Sequence, residues 1–111
     1  MTELHPETQE KVGYFISDVL EQYGDRLKYA IARVGNPRAG TDPMVDVDVL
    51  LVIDKLVTRE MYRLWDLAGT ASLKHGIIYS IQVYSTKDFE ARKDLPVISV
   101  FLSEGLEYGL R

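Results

Sequence analysis

Two aspartates, two residues apart, are the part of this sequence best suited to chemistry. Asp46 and Asp48 lie in the segment Val45 to Asp54, which alternates valine with aspartate and continues into an apolar run. Alternation is the period of a β-strand, so both carboxylates leave the same face, about 7 Å apart. At an effective dielectric of 20 they repel each other by about 2 kcal/mol. This predicts a nearby positive group, and Mg²⁺ with phosphate oxygens completing its shell meets that need.

The alternative interpretation of the aspartate pair is the solvated start of a strand. Aspartate is depleted in strands, which favours the metal site. The apolar run from Val49 to Ile53 predicts a strand that is covered on both faces and central in its sheet. Asp54, at the end of this run, is interpreted as a turn residue.

Composition sets limits on the class of protein. The chain of 111 residues predicts a single domain over 1–111. Seventeen acidic against thirteen basic residues give a net charge of -4, which argues against a nucleic-acid-binding face but not against a nucleotide ligand. The absence of cysteine excludes disulfides, thiolate metal sites and a cysteine nucleophile. No apolar run approaches the roughly 20 residues of a membrane span and Thr2 to Glu7 is not a signal peptide, so we expect a cytoplasmic protein without membrane association.

Periodicity predicts the elements that must position the aspartates. Apolar residues at helical spacing predict helices over Pro6 to Tyr23 and from Thr58, as N-cap, to His75. The buried stripe of the second helix is predicted to contain Met61, Leu64, Trp65, Ala68 and Leu73. Strands are predicted over Leu27 to Val34, Val45 to Asp54 and Ile77 to Tyr84, and short helices over Lys87 to Arg92 and from Pro96 to Gly105. The tail from Leu106 is either a short strand or simply an end.

This order predicts an α/β (α+β) fold, a three-stranded mixed sheet with helices packed on it. The first two strands are joined by a loop that is too short for a helical crossover, so they should be antiparallel. That loop, Gly35 to Met44, contains two glycines, two prolines and an asparagine, a composition typical of a shaped turn.

The loop and the strand after it carry a resemblance to a known family. The chain has a strand ending in glycine, a turn with a basic residue and a second glycine, and then an Asp-x-Asp strand. This pattern resembles that of the minimal nucleotidyltransferases of the DNA polymerase beta superfamily. The matching segments are Gly35-Asn36-Pro37-Arg38-Ala39-Gly40 and Asp46-Val47-Asp48-Val49-Leu50-Leu51-Val52. The segment Ser103 to Tyr108 also resembles the Glu-Gly-x-x-x-Tyr ending of these proteins.

The resemblance implies a nucleotidyltransferase-like fold and transfer of a nucleotidyl group from a nucleoside triphosphate to a protein or small-molecule acceptor. Asp46 and Asp48 would be the catalytic Mg²⁺ ligands. The residues expected to bind the β and γ phosphates are Gly35, Asn36, Arg38 and Gly40, through backbone N–H groups and the guanidinium. Proteins of this family often form the antitoxin half of a pair with a helical HEPN toxin, so a HEPN-type partner is expected.

Two departures from the family pattern support a second hypothesis. Asn36 stands where the family has serine, and the third strand has Ser80, Gln82 and Tyr84 but no third carboxylate. An amide neither acts as a base nor neutralises a second metal ion. The alternative is therefore a catalytically impaired binding or interaction module on the same fold, with a partner chain or a second copy of itself. A third hypothesis is a small regulatory ligand-binding domain in which the loop only connects a hairpin and the acids are incidental.

Overall fold

The computed structural model describes residues 4–35 and 45–109 of the chain. Its helices are α1 (Pro6–Tyr23), α2 (Thr58–His75), α3 (Thr86–Arg92) and α4 (Pro96–Glu104). Its strands are β1 (Leu27–Val34), β2 (Val45–Ile53), β3 (Ile77–Ser85) and β4 (Leu106–Glu107). Within these residues the sheet has the order β3-β2-β1-β4, with β1 antiparallel to both β2 and β4, and β2 parallel to β3. The predicted α/β class and mixed sheet are confirmed.

The sheet has a fourth strand where the sequence predicted three. Leu106 and Glu107 pair with Ala32 and Ile31 on the outer edge of β1. The backbone N–H of Tyr108 extends this contact by donating to the Ala30 carbonyl at 2.9 Å. The sequence left the tail from Leu106 open between a short strand and an end, because two residues are too few for an alternating pattern, and the pairing shows the strand.

The predicted central strand is confirmed as β2, whose residues from Val49 to Ile53 are fully buried. The side chains of Val47, Val49, Leu51 and Ile53 join the larger hydrophobic core, which α1 and α2 cover. Leu50 and Val52, on the opposite face, join a smaller core under α3 and α4. Asp54 lies in the turn directly after β2, as expected.

Helix α2 spans the predicted residues, but its start differs from the prediction. Thr58 is the first helical residue and Val57 is the N-cap, so the expected capping by the Thr58 hydroxyl is wrong. The carboxylate of Glu60 performs this role instead, because its Oε1 accepts the Val57 backbone N–H at 3.1 Å. Gly76 ends the helix in the left-handed conformation, with φ of 68°, as the sequence predicted.

The buried stripe of α2 is narrower than predicted. Leu64, Ala68 and Ala71 are its buried residues. Trp65 is 48% exposed and Leu73 is 90% exposed, so their assignment to the core was wrong. The three buried residues are spaced by four and by three, so they form one row along the helix, and Trp65 and Leu73 lie outside that row.

Among the described residues, no helix combines the length and apolar character that crossing a membrane requires.

Candidate functional site

The first residues of β2 present both predicted aspartates on the same face of the sheet. Asp46 and Asp48 are each partly buried and precede Leu50, which lies on that face in the smaller core. On this face the strand therefore carries two carboxylates near its N-terminal end, which we call the open end of β2, and buried apolar side chains toward its C-terminal end. This is the placement that the valine–aspartate alternation predicted.

Strand β1 provides a positive group beside one of these carboxylates. Arg33 is the register partner of Asp48 in the antiparallel pair. Its Nη1 lies 3.4 Å from Asp48 Oδ2, and its Nη2 lies 3.2 Å from Oε1 of Glu104, the last residue of α4. Sequence reasoning missed Arg33 and assigned no role in the site to Glu104, since the contact of Arg33 with Asp48 depends on strand register and its contact with Glu104 depends on where α4 ends.

Burial and charge act in opposite directions on Asp48. Burial raises the pKa of Asp48 above its ordinary value and is the largest influence; Asp46 raises it further, whereas Arg33 lowers it through its charge and its hydrogen bond. The upward shift therefore reflects the desolvation of the Asp48 carboxylate, which the charge and hydrogen bond of Arg33 offset only in part.

Gly35 is placed directly beside Asp46. Its backbone N–H donates to the Asp46 carbonyl at 2.8 Å. A Cβ at this position would lie 2.8 Å from the Asp46 Cβ, closer than real side chains approach, so only glycine fits. The other predicted phosphate-binding residues, Asn36, Arg38 and Gly40, lie outside the described residues.

On the other side of β2, the strand β3 places Ser80, and not Gln82, next to the acid pair. Ser80 is the register partner of Asp48, and Gln82 is the partner of Leu50. The Gln82 Oε1 accepts a hydrogen bond from the Tyr84 hydroxyl at 3.1 Å. Of the three polar residues that the sequence places on this strand without a third carboxylate, the exposed Ser80 is the one beside Asp48.

The acid pair fits Mg²⁺ only with ligands from elsewhere. Within the described parts of the chain, no group of three or more histidine, aspartate or glutamate side chains is arranged to hold a metal ion. Mg²⁺ nevertheless commonly takes one or two carboxylates and completes its octahedral shell with water and substrate phosphates. Asp46 and Asp48 are the residues that would hold it, and Arg33 would compete with it.

A small cleft adjoins the Arg33 and Glu104 side chains. It has a volume of about 170 Å³. Its other lining residues are Leu4, Gln9, Ala32, Gly105 and Leu106. Ligand pockets usually measure about 300 to 1,000 Å³, so this cleft by itself is too small for a nucleotide. It gives the guanidinium room for a small movement.

Comparisons with known proteins assign the chain to no family. The chain matches no protein-family model, no curated protein and no solved structure. The resemblance to nucleotidyltransferases therefore depends on the segment from Gly35 to Asp48 and on the order of the elements around it.

Proposed function

We propose that this protein binds a nucleoside triphosphate with Mg²⁺ at the open end of β2 and transfers its nucleotidyl group to a protein or small-molecule acceptor in the cytoplasm. The observation that carries this proposal is the pair Asp46 and Asp48, partly buried on one face of the central strand, with Gly35 packed against it. Such a pair supplies carboxylate ligands for a divalent cation, next to a glycine whose backbone lies close to the strand.

Each residue has a distinct role in this proposal. Asp46 and Asp48 would hold the metal, and Gly35 keeps the backbone that follows β1 close to Asp46. Asn36, Arg38 and Gly40 follow in the sequence and would supply N–H groups and a guanidinium to the β and γ phosphates. Bound Mg²⁺ would supply charge neutralisation and orientation of the triphosphate, which is most of what phosphoryl-type transfer requires.

The second candidate function is binding without turnover. The ion pair between Arg33 and Asp48 favours it, because it partly satisfies an expected metal ligand within the protein. The hydroxyl of Ser80, where a third carboxylate would be needed, favours it as well. On this alternative the chain is an interaction module, the antitoxin half of a pair with a helical HEPN-type protein or a homo-oligomer.

Transfer of label from nucleoside triphosphates tests the first function. The protein is incubated with Mg²⁺, labelled triphosphate and candidate acceptors, and compared with Asp46→Asn and Asp48→Asn. We expect transfer by the wild type and none by either variant, while Asp66→Asn, an exposed change on α2, transfers normally. No transfer by the wild type, or transfer at the wild-type rate by the variant that combines Asp46→Asn with Asp48→Asn, would contradict the proposal.

Calorimetry combined with a sizing column separates the two candidates. Triphosphate binding without transfer, by a dimer or by a complex with a helical partner, supports the interaction module. A monomer that transfers the nucleotidyl group contradicts it.

A further inference from the structure

Arg33 places a positive charge beside Asp48, one of the two proposed metal ligands. It joins Asp48 and Glu104 in a row that we call the arginine bridge. The side chains are partly exposed, by 22% for Arg33, 26% for Asp48 and 47% for Glu104. The guanidinium therefore belongs to the same charge cluster as the proposed metal ligands.

The contacts of the arginine bridge are loose. They measure 3.4 and 3.2 Å, whereas strong charge-assisted N–H···O hydrogen bonds measure about 2.7 to 2.9 Å. The pair between Arg26 and Glu60 in the same protein has contacts of 2.7 and 2.8 Å. In addition, the Arg33 Nε is enclosed and makes no hydrogen bond within the described structure. The guanidinium of Arg33 is therefore weakly held and can move away from Asp48.

A divalent cation on Asp48 and a guanidinium beside the same carboxylate weaken each other's binding. They have charges of the same sign, and Nη1 of Arg33 lies only 3.4 Å from Asp48 Oδ2. Glu104 gives the guanidinium a second anchor through Nη2. When Arg33 leaves Asp48 it therefore stays paired with Glu104, which lowers the free-energy cost of the movement.

We propose that Arg33 is an internal counter-ion that competes with a divalent cation for Asp48 and turns to Glu104 alone when that cation binds. The pair Arg33 and Glu104 thus sets the metal affinity of the site. This inference rests on the proposed function, because it takes Asp46 and Asp48 as metal ligands. It assigns a positioning role to two residues outside the acid pair.

Binding of Mn²⁺, measured by electron paramagnetic resonance of the free ion, tests the competition without any activity assay. Arg33→Met should bind Mn²⁺ about fivefold more tightly than the wild type, the size expected for a partly exposed ion pair. Lys28→Met, on an exposed position of the same strand, is the matched control and should leave the affinity unchanged.

Glu104→Gln should act in the opposite direction. Without its second anchor, Arg33 remains on Asp48, so Mn²⁺ binding should weaken about threefold. Glu107→Gln removes the same charge from an exposed residue of β4 and controls for the general field. In the Arg33→Met background, Glu104→Gln should have no larger effect than Glu107→Gln, which isolates the coupling between the two residues.

The outcomes distinguish this inference from the function on which it rests. Equal Mn²⁺ affinity of wild type and Arg33→Met, with unchanged circular dichroism, overturns the counter-ion role and leaves the metal site standing. Equal effects of Glu104→Gln and Glu107→Gln overturn it too, and both of these changes are on exposed residues, so the test does not depend on the folding of the Arg33 variant. If neither wild type nor Arg33→Met binds Mn²⁺, the proposed function fails and the inference fails with it.

Discussion

Gly35 has a strict steric requirement beside the acid pair. The change Gly35→Ala would place a Cβ 2.8 Å from the Asp46 Cβ and 3.2 Å from the Asp46 backbone carbonyl. Overpacking of this kind typically costs about 1 to 3 kcal/mol, and here the neighbour is backbone as well as side chain. We expect a loss of about 2 kcal/mol in the free energy of unfolding, measured by urea denaturation.

The matched control for this prediction is Gly69→Ala in the exposed part of α2. A Cβ there meets nothing within 4 Å, so the change should stabilise the helix by about 0.5 to 1 kcal/mol. If Gly35→Ala is as stable as the wild type, Gly35 and Asp46 are not packed as described.

Residue types and spacing were sufficient to predict part of the site. The shared face of Asp46 and Asp48 follows from the two-residue period of a strand, which is a local property. The positions of Arg33 and Ser80 beside Asp48 follow from the register of β1 and β3 on β2, and a one-residue slip would exchange them for their neighbours. No local pattern in the sequence specifies that register.

Between elements, the pair Arg26 and Glu60 joins the segment before β1 to the first turn of α2. Two hydrogen bonds of 2.8 and 2.7 Å connect the guanidinium to the Glu60 carboxylate, which is only 15% exposed. The hydrogen bond from Arg26 is the main cause that lowers the pKa of Glu60 to about 2. Because this pKa lies below the usual 4.5, the pair stabilises the fold above pH 4.5 and loses this effect as the pH falls toward 2.

Glu60→Gln should therefore lower the free energy of unfolding by about 1 to 2 kcal/mol at pH 7. The difference from the wild type should shrink as the pH is lowered from about 4.5 to 3, measured by urea denaturation at each pH. Glu90→Gln, in an exposed pair with Lys93, should change the stability by less than about 0.5 kcal/mol throughout. A difference for Glu60→Gln that stays constant over this range would contradict the assigned role.

The two faces of α2 should respond very differently to truncation. Leu64 is fully buried between the helix and the sheet, so Leu64→Ala should cost about 3 kcal/mol. Leu73 is 90% exposed, and Leu73→Ala should change the free energy of unfolding by no more than about 0.5 kcal/mol. Thermal or urea unfolding followed by circular dichroism measures both. Similar losses for the two variants would place Leu73 in a buried environment.

Local signals predicted most of the elements, but not the details of packing. Proline at the first position of α1 and glycine after α2 define helix ends through backbone geometry, and both helices span the predicted residues. Trp65 and Leu73 were assigned to the core because apolar character at helical spacing does not reveal how wide the contact with the sheet is. Val57 was not predicted as an N-cap because its side chain accepts no hydrogen bond, and Glu60 provides the capping instead.

At the scale of the whole molecule, the sheet separates two cores of unequal size. Long helices α1 and α2 cover one face, and the short helices α3 and α4 cover the other. Among the residues that the structure describes, the second core has six buried side chains, Ile31, Leu50, Val52, Phe89, Ile98 and Phe101. The separation was predictable from β2, whose unbroken apolar run requires cover on both faces, but the inequality was not, since it depends on how α3 and α4 pack.

The thinner core has a consequence for motion, because the acid pair lies on its side of the sheet. A layer that buries few side chains opens locally at a lower free energy than the rest of the fold. Backbone amides of α4 should therefore exchange with deuterium faster than those of Val12 to Val19 in α1, as measured by nuclear magnetic resonance. Equal protection of the two helices would show that the protein opens only as one unit. Unequal protection would show that α3 and α4 open locally on the side of the sheet that carries the carboxylates, while α1 and α2 stay packed on the other side.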